Sequence, residues 1–427
     1  MARKFAERWE TATAKLARGD VWDEIDSWLT MVWENVLIEE KDVCELCFWI
    51  SFSRHPGGIL NNFEVQNNSD YPDLDIAISM KIHFLLFFLQ STSSLSRPLT
   101  NAIIAEREGR FRESLALLNE AEDIATDASL VAYINVRQAH LHHDALGSPS
   151  TSLQYYNKAI NDPHPSSLSF HGKANILDQS EHSRHQAIAT YRLALLYHTT
   201  PLLLFHLAIS LERVGVYERS QHILNSLPVE LSTTWNYCRR FVEPSDNLFR
   251  GTRAMIQLGV ENSNPKGIFC EFGVSSGRSM RMLAEILPTS PLYGFDTFTG
   301  LPEAWLGEDV GTYTTEGVIP SFPSNVACVK GLFSETVPQF LAMNAGPLSF
   351  ANIDCDLYSS TMTILTLLQD QKRIVPGSIL LFDEFFINEK WADDEFGAFH
   401  ECVKKYQWRF EFLAISLSSK QACIKML

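Results

Sequence analysis

Hydrophobic residues along the chain follow two different spacings, and the change falls near residue 232. Before it, apolar positions recur every three to four residues, which is the spacing of amphipathic helices. After it, short uninterrupted apolar runs alternate with helix-like stretches, as expected for parallel strands covered by helices on both faces. The pattern predicts an α-helical first half and an α/β second half.

The second half contains five apolar runs that predict strands and four stretches that predict helices. The strands are Ile268 to Phe272, Leu292 to Asp296, Val326 to Lys330, Leu348 to Asp354 and Ser378 to Asp383. The helices are Arg278 to Leu287, Ser334 to Met343, Tyr358 to Arg373 and Glu395 to Tyr406. Two β-like runs, Arg409 to Ala414 and Gln421 to Met426, close the chain as a hairpin. We expect a Rossmann-like, doubly wound and mostly parallel sheet with a terminal antiparallel hairpin.

Three glycines mark equivalent points of a degenerate helical repeat in the first half. Gly109, Gly147 and Gly215 are each followed five residues later by a serine, and a fourth unit has Ala187 at that small position. Small residues let two helices approach closely, and glycine relaxes the turn between them. The pattern resembles the tetratricopeptide repeat, with an irregular helical bundle as the alternative. Either arrangement predicts a surface for a protein partner or for self-association.

These patterns divide the chain into three regions. Residues 1–95 are predicted as a tryptophan-rich helical region, 96–231 as the helical repeats and 232–427 as the α/β domain. The pair Cys44 and Cys47 in the first region has CxxC spacing, but neither a second pair nor a histidine cluster completes a zinc site. We expect these to be buried thiols on a helix, and we assign no chemistry to this region.

Composition and charge restrict the partners. The net charge of −16 disfavours unspecific binding to nucleic acid or anionic lipid. The most apolar run, Ile82 to Gln90, is far shorter than the roughly 20 residues of a membrane span. The N-terminus lacks the apolar core of a secretory signal, and scattered cysteines fit a reducing compartment. We therefore predict a cytoplasmic protein without a nucleic-acid or membrane partner.

A glycine turn joins the first predicted strand to its helix, in the sequence EFGVSSG from Glu271 to Gly277. Gly273 permits a tight turn, and Gly277 lets the backbone approach a ligand at the helix N-terminus. Neither GxGxxG nor GK[ST] is present, and Glu271 would repel a pyrophosphate. S-adenosylmethionine fits, because it has cationic groups and ribose hydroxyls but no phosphate. Asp296, which ends the next strand, can bind the ribose; a purely structural junction is the alternative.

Five segments in this order carry a more specific resemblance: EFGVSSGRS, GFDTFTGLPE, VKGLFSETVP, NIDCDLYSST and PGSILLFDEF. They resemble the macrocin O-methyltransferase family of class I methyltransferases over roughly Trp235 to Leu427. The resemblance implies methylation of sugar hydroxyls on natural products with S-adenosylmethionine and Mg²⁺. The cofactor-binding residues that it implies are Glu271, Gly273, Ser275 and Gly277 on the methionine side, Asp296 at the ribose, and Leu332 and Phe333 at the adenine.

Carboxylates follow two adjacent predicted strands, Asp354 and Asp356 after one and Asp383 with Glu384 after the other. They would repel one another unless a hard cation such as Mg²⁺ is bound. We predict Asp354, Asp383 and Glu384 as metal ligands, with helix N-caps as the alternative and Asp356 best placed for that role. The family pattern has Asp or Asn at the position of Glu384, which leaves the metal's identity open.

The predicted chemistry is direct displacement at the activated methyl group. Asp354 is the predicted base, and His400, on the helix after the FDE strand, is the alternative base or else a packing residue. The long segment between Asp296 and Val326 predicts a substrate lid carrying Trp305 and Tyr313, or a surface excursion with those rings in the core.

The expected protein is therefore an O-methyltransferase acting on a sugar or a glycosylated metabolite. One alternative is a repeat-based scaffold with a non-catalytic cofactor module, and another is a methyltransferase with a peptide acceptor delivered by the repeats. The sequence specifies neither the acceptor nor the methylated position.

Overall fold

A computed structural model of the chain describes residues 96–161 and 165–427, together with two short strands upstream. These strands, Cys47–Phe48 and Val65–Gln66, pair antiparallel, so Cys47 is extended where the sequence predicted a helix. The other predictions for residues 1–95, including the tryptophan-rich helices, lie outside the described residues. Phe84–Leu427 form one compact unit, and the fold below is that of its described part.

Within residues 96–224, eight α-helices pair as four consecutive helical hairpins, which we call the helical layer. The pairs are α1 (Ser96–Arg107) with α2 (Phe111–Ile124), α3 (Ala128–His140) with α4 (Pro149–Ile160), α5 (Ser167–Asp178) with α6 (Arg184–Ala194), and α7 (Pro201–Arg213) with α8 (Tyr217–Leu224). A π-helical turn, Leu141–Ala145, extends α3. A 3₁₀ turn, Glu181–Ser183, precedes α6.

The glycines of the predicted repeat lie in the turns of these hairpins, and its small residues are buried within them. Gly109, Gly147 and Gly215 have φ of 70°, 62° and 83°, a left-handed conformation that glycine adopts without strain. The small residues five positions later, and their counterpart in the third hairpin, are fully buried: Ser114, Ser152, Ala187 and Ser220. The four stacked hairpins favour the repeat interpretation over an irregular bundle.

Two helices, α9 (Val229–Cys238) and α10 (Thr252–Glu261), lead into a seven-stranded sheet. The strands are β1 (Ile268–Phe272), β2 (Leu292–Asp296), β3 (Val326–Lys330), β4 (Leu348–Ile353), β5 (Ile379–Phe382), β6 (Phe410–Ile415) and β7 (Ala422–Met426). The intervening helices are α11 (Arg278–Ile286), α12 (Phe333–Met343), α13 (Tyr358–Asp370) and α14 (Glu395–Tyr406). None of the helices in the described part of the chain has the length and apolar content that a membrane span requires.

The strand order is β3-β2-β1-β4-β5-β7-β6, and all pairs are parallel except the two that β7 makes with β5 and β6. This is the predicted Rossmann-like sheet with its terminal antiparallel hairpin. Strands β1, β4 and β5 are buried along their whole length, which explains their continuous apolar sequences. The order reverses between β1 and β4, so the ligand crevice of such a sheet lies beyond the carboxyl ends of these two strands.

Candidate active site

Two positions of the turn that follows β1, Gly273 and Gly277, have space for glycine only. Gly273 has φ of 89°, and a Cβ there would lie 1.6 Å from the carbonyl oxygen of Asp354 after β4. Gly277 has φ of 87° and precedes α11, where a Cβ would lie 2.5 Å from the ring of Phe322. Ser275 is also left-handed, at φ of 44°. Residues 273–277, the glycine turn, thus bring bare backbone to the crevice, as the sequence predicted.

Asp296, at the end of β2, is tied to the glycine turn. Its Oδ2 accepts from the amides of Val274 and Ser275 at 2.8 Å each. Its Oδ1 accepts from the amide of Phe298 at 2.6 Å. Because a carboxylate offers about four acceptor sites, one site on Oδ1 is left for a ligand hydroxyl. The predicted contact with ribose stays a prediction that this geometry permits.

Glu271 lies beneath the glycine turn, not on its surface. Its side chain is fully buried on β1, and Oε1 accepts a hydrogen bond from Ser279 Oγ at 3.0 Å. Burial raises its pKa to about 8, and the polar side chains of Ser279 and Asn352 offset part of that shift. The bond with Ser279 joins β1 to the first turn of α11. Direct contact with a ligand stays a prediction.

The residues predicted to flank adenine follow β3. Leu332 precedes α12 with 45% of its surface exposed, so it is open to a ligand. Phe333 packs edge-on against Phe272, with ring centroids 5.7 Å apart. The amide of Gly331 donates to the carbonyl oxygen of Asp296 at 2.9 Å, which places this segment beside the ribose candidate.

Four carboxylates follow β4 and β5, and we call Asp354, Asp356, Asp383 and Glu384 the acidic cluster. Burial and the charge of Glu384 raise the pKa of Asp356 to about 8. The same two causes raise the pKa of Asp383 to about 7. Burial, followed by the charge of Asp383, raises the pKa of Asp354 well above its usual range. These carboxylates therefore lie within electrostatic range of one another, and their predicted convergence on one metal stays a prediction.

Two polar residues of the link between β6 and β7 face the acidic cluster. Lys420 Nζ lies 3.4 Å from Glu384 Oε2, and Gln421 donates from Nε2 to Asp383 Oδ1. Among the described residues, no group of three or more His, Cys, Asp or Glu side chains is arranged to hold a metal ion. Metal ligation by Asp354, Asp383 and Glu384 thus stays a prediction.

The helix-cap alternative for Asp356 is wrong. Helix α13 has Leu357 as its N-cap, without a capping side chain. Asp356 itself is left-handed, with φ of 60°, a conformation that costs energy outside glycine. Such strain is often found where function requires it.

Glu395 is a buried acid of the site that sequence reasoning missed. It begins α14 with a fully buried side chain, and Oε1 accepts from the amide of Cys355 at 3.2 Å. Burial and the charge of Asp356 raise its pKa well above the usual range. Through the bond to the amide of Cys355, Glu395 supports the backbone between Asp354 and Asp356. In the sequence it is indistinguishable from an ordinary acid in the first turn of a helix.

His400 lies in an aromatic cluster formed by α9, α14 and β6. Its Nε2 is 2.8 Å from the hydroxyl of Tyr237, and the ring packs against Phe396 and Phe410. Burial lowers its pKa to about 4, and the charge of Arg240 adds to the shift. These contacts favour the packing interpretation over the role of an alternative base.

Residues 297–325, the lid segment, lie against the strand ends. Trp305 Nε1 donates to Asp394 Oδ2 at 3.0 Å, and the carbonyl oxygen of Tyr313 accepts from Ser275 Oγ at 3.2 Å. Tyr313 is 50% exposed, and burial together with the charge of Asp356 raises its pKa. The rings of Trp305 and Tyr313 are not enclosed in the core. The alternative of a surface loop with both rings buried in the core therefore does not describe this segment. Phe322, over Gly277, is a lid contact that the sequence did not single out.

A family model described as a methyltransferase domain matches residues 270–385. The match spans the glycine turn, Asp296, the lid segment and the acidic cluster. With the strand order and the glycine turn, it defines the protein as an S-adenosylmethionine-dependent methyltransferase. This result confirms the predicted class of enzyme and disfavours the non-catalytic scaffold.

The solved structures that are similar to this chain have low sequence identities and low TM-scores. A Staphylococcus aureus protein provisionally described as a caffeoyl-CoA O-methyltransferase is 13% identical, with a TM-score of 0.28, covering 51% of this chain and 99% of its own. A mutant of Thermobaculum terrenum O-GlcNAc transferase is 12% identical, with a TM-score of 0.28, covering 62% and 47%. Human N-acetylserotonin methyltransferase is 10% identical, with a TM-score of 0.27, covering 84% and 99%. No curated protein matches the sequence.

Proposed function

We propose that this methyltransferase methylates a hydroxyl of a small molecule, a sugar or a glycosylated metabolite, with the help of Mg²⁺. The proposal is supported by the position of Asp354 against the glycine turn, where a Cβ at Gly273 would lie 1.6 Å from the Asp354 carbonyl oxygen, and by the raised pKa values of Asp354, Asp356 and Asp383. Such repulsion is relieved by a bound cation, and an oxygen-only set of ligands suits Mg²⁺. The chemistry of the donor set therefore suits the metal, although the described side chains are not arranged as a metal site in this structure.

Asp354, Asp383 and Glu384 would hold the metal. Lys420 already neutralises part of the charge of Glu384, at 3.4 Å. We therefore expect Asp354 and Asp383 to provide most of the metal affinity. When bound, Mg²⁺ supplies a Lewis acid that lowers the pKa of an acceptor hydroxyl.

The reaction is a direct displacement. The acceptor oxygen forms a bond to the methyl carbon while the carbon–sulfur bond breaks, and the electron pair stays on sulfur. The hydroxyl proton goes to a carboxylate, for which Asp354 is the candidate because it follows β4 directly beside Gly273. The glycine turn and Asp296 orient the methyl donor, and alignment of the two reactants supplies much of the rate enhancement.

The lid segment would select the acceptor. Trp305 is half-buried and Tyr313 is half-exposed, so both present aromatic surface near the acidic cluster. Aromatic faces of this kind stack on sugar rings or aglycones. The acidic surroundings add hydrogen-bond acceptors for sugar hydroxyls.

Incubation with labelled S-adenosylmethionine and a panel of sugars, glycosides and aglycones tests the proposal. Label should appear on a hydroxyl of a carbohydrate-containing acceptor, and a chelator should reduce turnover, with recovery on addition of Mg²⁺. Asp383→Asn should lower kcat by roughly 10²-fold while the affinity for S-adenosylmethionine stays within about twofold.

The matched control is Asp393→Asn, which removes an exposed carboxylate upstream of α14. It should leave turnover unchanged. Turnover that withstands both the chelator and Asp383→Asn would remove the metal from the proposal. Transfer to peptides alone, with none to hydroxyls of small molecules, would contradict the acceptor class.

A further inference from the structure

The turns of the first two helical hairpins contact the glycine turn and the start of α11. Ser276 Oγ donates to the carbonyl oxygen of Arg107, the last residue of α1, at 2.5 Å. Gly109, in the turn that follows, packs so closely that a Cβ there would lie 3.1 Å from Arg278 Cα. The helical layer therefore reaches the cofactor side of the α/β domain through backbone as well as side chains.

The second contact is an ion pair between Asp144 and Arg278. Asp144 lies in the π-helical turn after α3, and Arg278 is the first residue of α11. Asp144 Oδ2 pairs with Arg278 Nη2, while Oδ1 accepts from the amide of Thr252 at 2.8 Å. The two side chains are 26% and 35% exposed, so the pair is shielded from most of the solvent.

The turn that carries Asp144 is itself held in place. His143 Nε2 lies 2.9 Å from the carbonyl oxygen of Phe249. Gly251 packs against the backbone of Asp144, where a Cβ would lie 2.6 Å from Asp144 Cα. Burial alone would raise the pKa of Asp144, but the charge of Arg278 and the amide of Thr252 bring it below its ordinary value. Asp144 is therefore a fixed negative charge at neutral pH.

The glycine turn needs such external contacts. Gly273, Ser275 and Gly277 are all left-handed, and of these Ser275 adopts a conformation that its own preferences do not favour. Asp296 holds the turn from inside the α/β domain, through Val274 and Ser275. Contacts of Ser276 and Arg278 with the helical layer hold the other side of the turn.

Arg278 also has a competing neighbour. Its charge lowers the pKa of Asp383, and the charge of Asp383 raises the pKa of Arg278, so the two groups lie within electrostatic range. The ion pair with Asp144 holds Arg278 on the side of the helical layer.

We propose that the helical layer completes the cofactor site, with Asp144 and the carbonyl of Arg107 acting as positioning groups for the glycine turn. Asp144 does not touch S-adenosylmethionine in this arrangement; it acts through Arg278. The helical layer then has a role within the enzyme itself, separate from any partner that it binds.

The test is calorimetric titration of Asp144→Asn and Ser276→Ala with S-adenosylmethionine, together with steady-state kinetics. Asp144→Asn should bind S-adenosylmethionine about 10- to 100-fold more weakly, as expected for the loss of a charge-assisted bond, and Ser276→Ala about 2- to 10-fold more weakly, as expected for a neutral one. The KM for S-adenosylmethionine should rise, while the acceptor KM and kcat at saturating cofactor stay close to wild type. Asp144→Glu, which keeps the charge, should restore part of the affinity.

Glu122→Gln is the matched control. Glu122 is an acidic residue of the helical layer that pairs with Lys158 at 3.6 Å and makes no described contact with the glycine turn. Its substitution should leave the affinity for S-adenosylmethionine unchanged. Folded Asp144→Asn with wild-type affinity would overturn the proposal. If Asp144→Asn does not fold, Ser276→Ala decides, and wild-type affinity in that variant would overturn it equally.

Discussion

The side chain of Asp296 accepts a hydrogen bond from the amide of Ser275 at 2.8 Å. This bond joins the end of β2 to the turn after β1. The bond uses the same carboxylate that is the ribose candidate. Asp296 would therefore couple the geometry of the turn to the predicted contact with ribose. A substitution at Asp296 should affect the cofactor twice, through the direct contact and through the shape of the turn.

We predict that Asp296→Asn weakens the binding of S-adenosylmethionine by about 10- to 100-fold, because hydrogen bonds to a charged group contribute about 1.5–3 kcal/mol. The amide keeps the size of the side chain but loses the charge and one acceptor oxygen. Isothermal titration with S-adenosylmethionine measures the change. Asp370→Asn, which removes a carboxylate paired with Tyr406 at the end of α13, serves as control and should bind normally. Equal affinities in the two variants would contradict the role of Asp296.

Substitution of two glycines with nearly the same φ distinguishes the steric cost of an added Cβ from the cost of a positive φ. Gly273 and Gly307 have φ of 89° and 87°, but a Cβ at Gly273 would lie 1.6 Å from Asp354 O, whereas a Cβ at Gly307 meets nothing within 4 Å. Gly307→Ala should cost about 1–2 kcal/mol, and Gly273→Ala roughly 3 kcal/mol or more with loss of cofactor binding. Urea denaturation and cofactor titration check both values. A similar cost for the two variants would show that the close approach to Asp354 is relaxed in solution.

The buried acid Glu271 makes stability depend on pH. Its pKa rises from 4.5 to about 8 on folding, so its contribution is fully present below pH 4.5 and is lost as pH rises through 8. Glu271→Gln removes this dependence, because the amide resembles the protonated acid at every pH. The variant should therefore gain stability relative to wild type between pH 5 and about pH 9.

The free energy of unfolding in urea at pH 5 and pH 9 measures this difference. Glu335→Gln, which changes an exposed acid in the first turn of α12, should follow wild type at both values. A constant difference between Glu271→Gln and wild type across this range would mean that Glu271 is ionised in the folded protein.

The α/β domain was predictable because its sequence pattern and its structure have the same physical cause. Strands buried on both faces must be apolar throughout, and β1 begins and ends at the predicted residues. β2 and the partly exposed β3 also begin and end where predicted. Parallel strands end at one edge of the sheet, so the placement of Asp296, Asp354 and Asp383 at that edge followed from their positions alone.

Other parts of the site were not predictable, because they depend on contacts between distant positions. Asp144 and Arg278 pair across 134 residues, and neither lies in a motif that predicts the contact. Glu395 supports the site only because α14 begins beneath Cys355. The buried state of Glu271 likewise depends on Ser279 of α11, which its own strand does not reveal.

The lid segment gives a prediction about the acceptor alone. Trp305 Nε1 donates to Asp394 at 3.0 Å, and this bond anchors the first part of the lid to the residue before α14. Trp305→Phe keeps an aromatic ring but removes the donor, so the lid should close less often and the acceptor KM should rise about 3- to 10-fold. The affinity for S-adenosylmethionine should stay the same, because the glycine turn is not altered.

Trp408→Phe is the matched control, since it removes an indole bond to Gln369 at 3.1 Å outside the lid. Steady-state kinetics with the acceptor as the varied substrate would contradict the lid assignment if both variants gave wild-type values, or if Trp305→Phe changed only the KM of the cofactor.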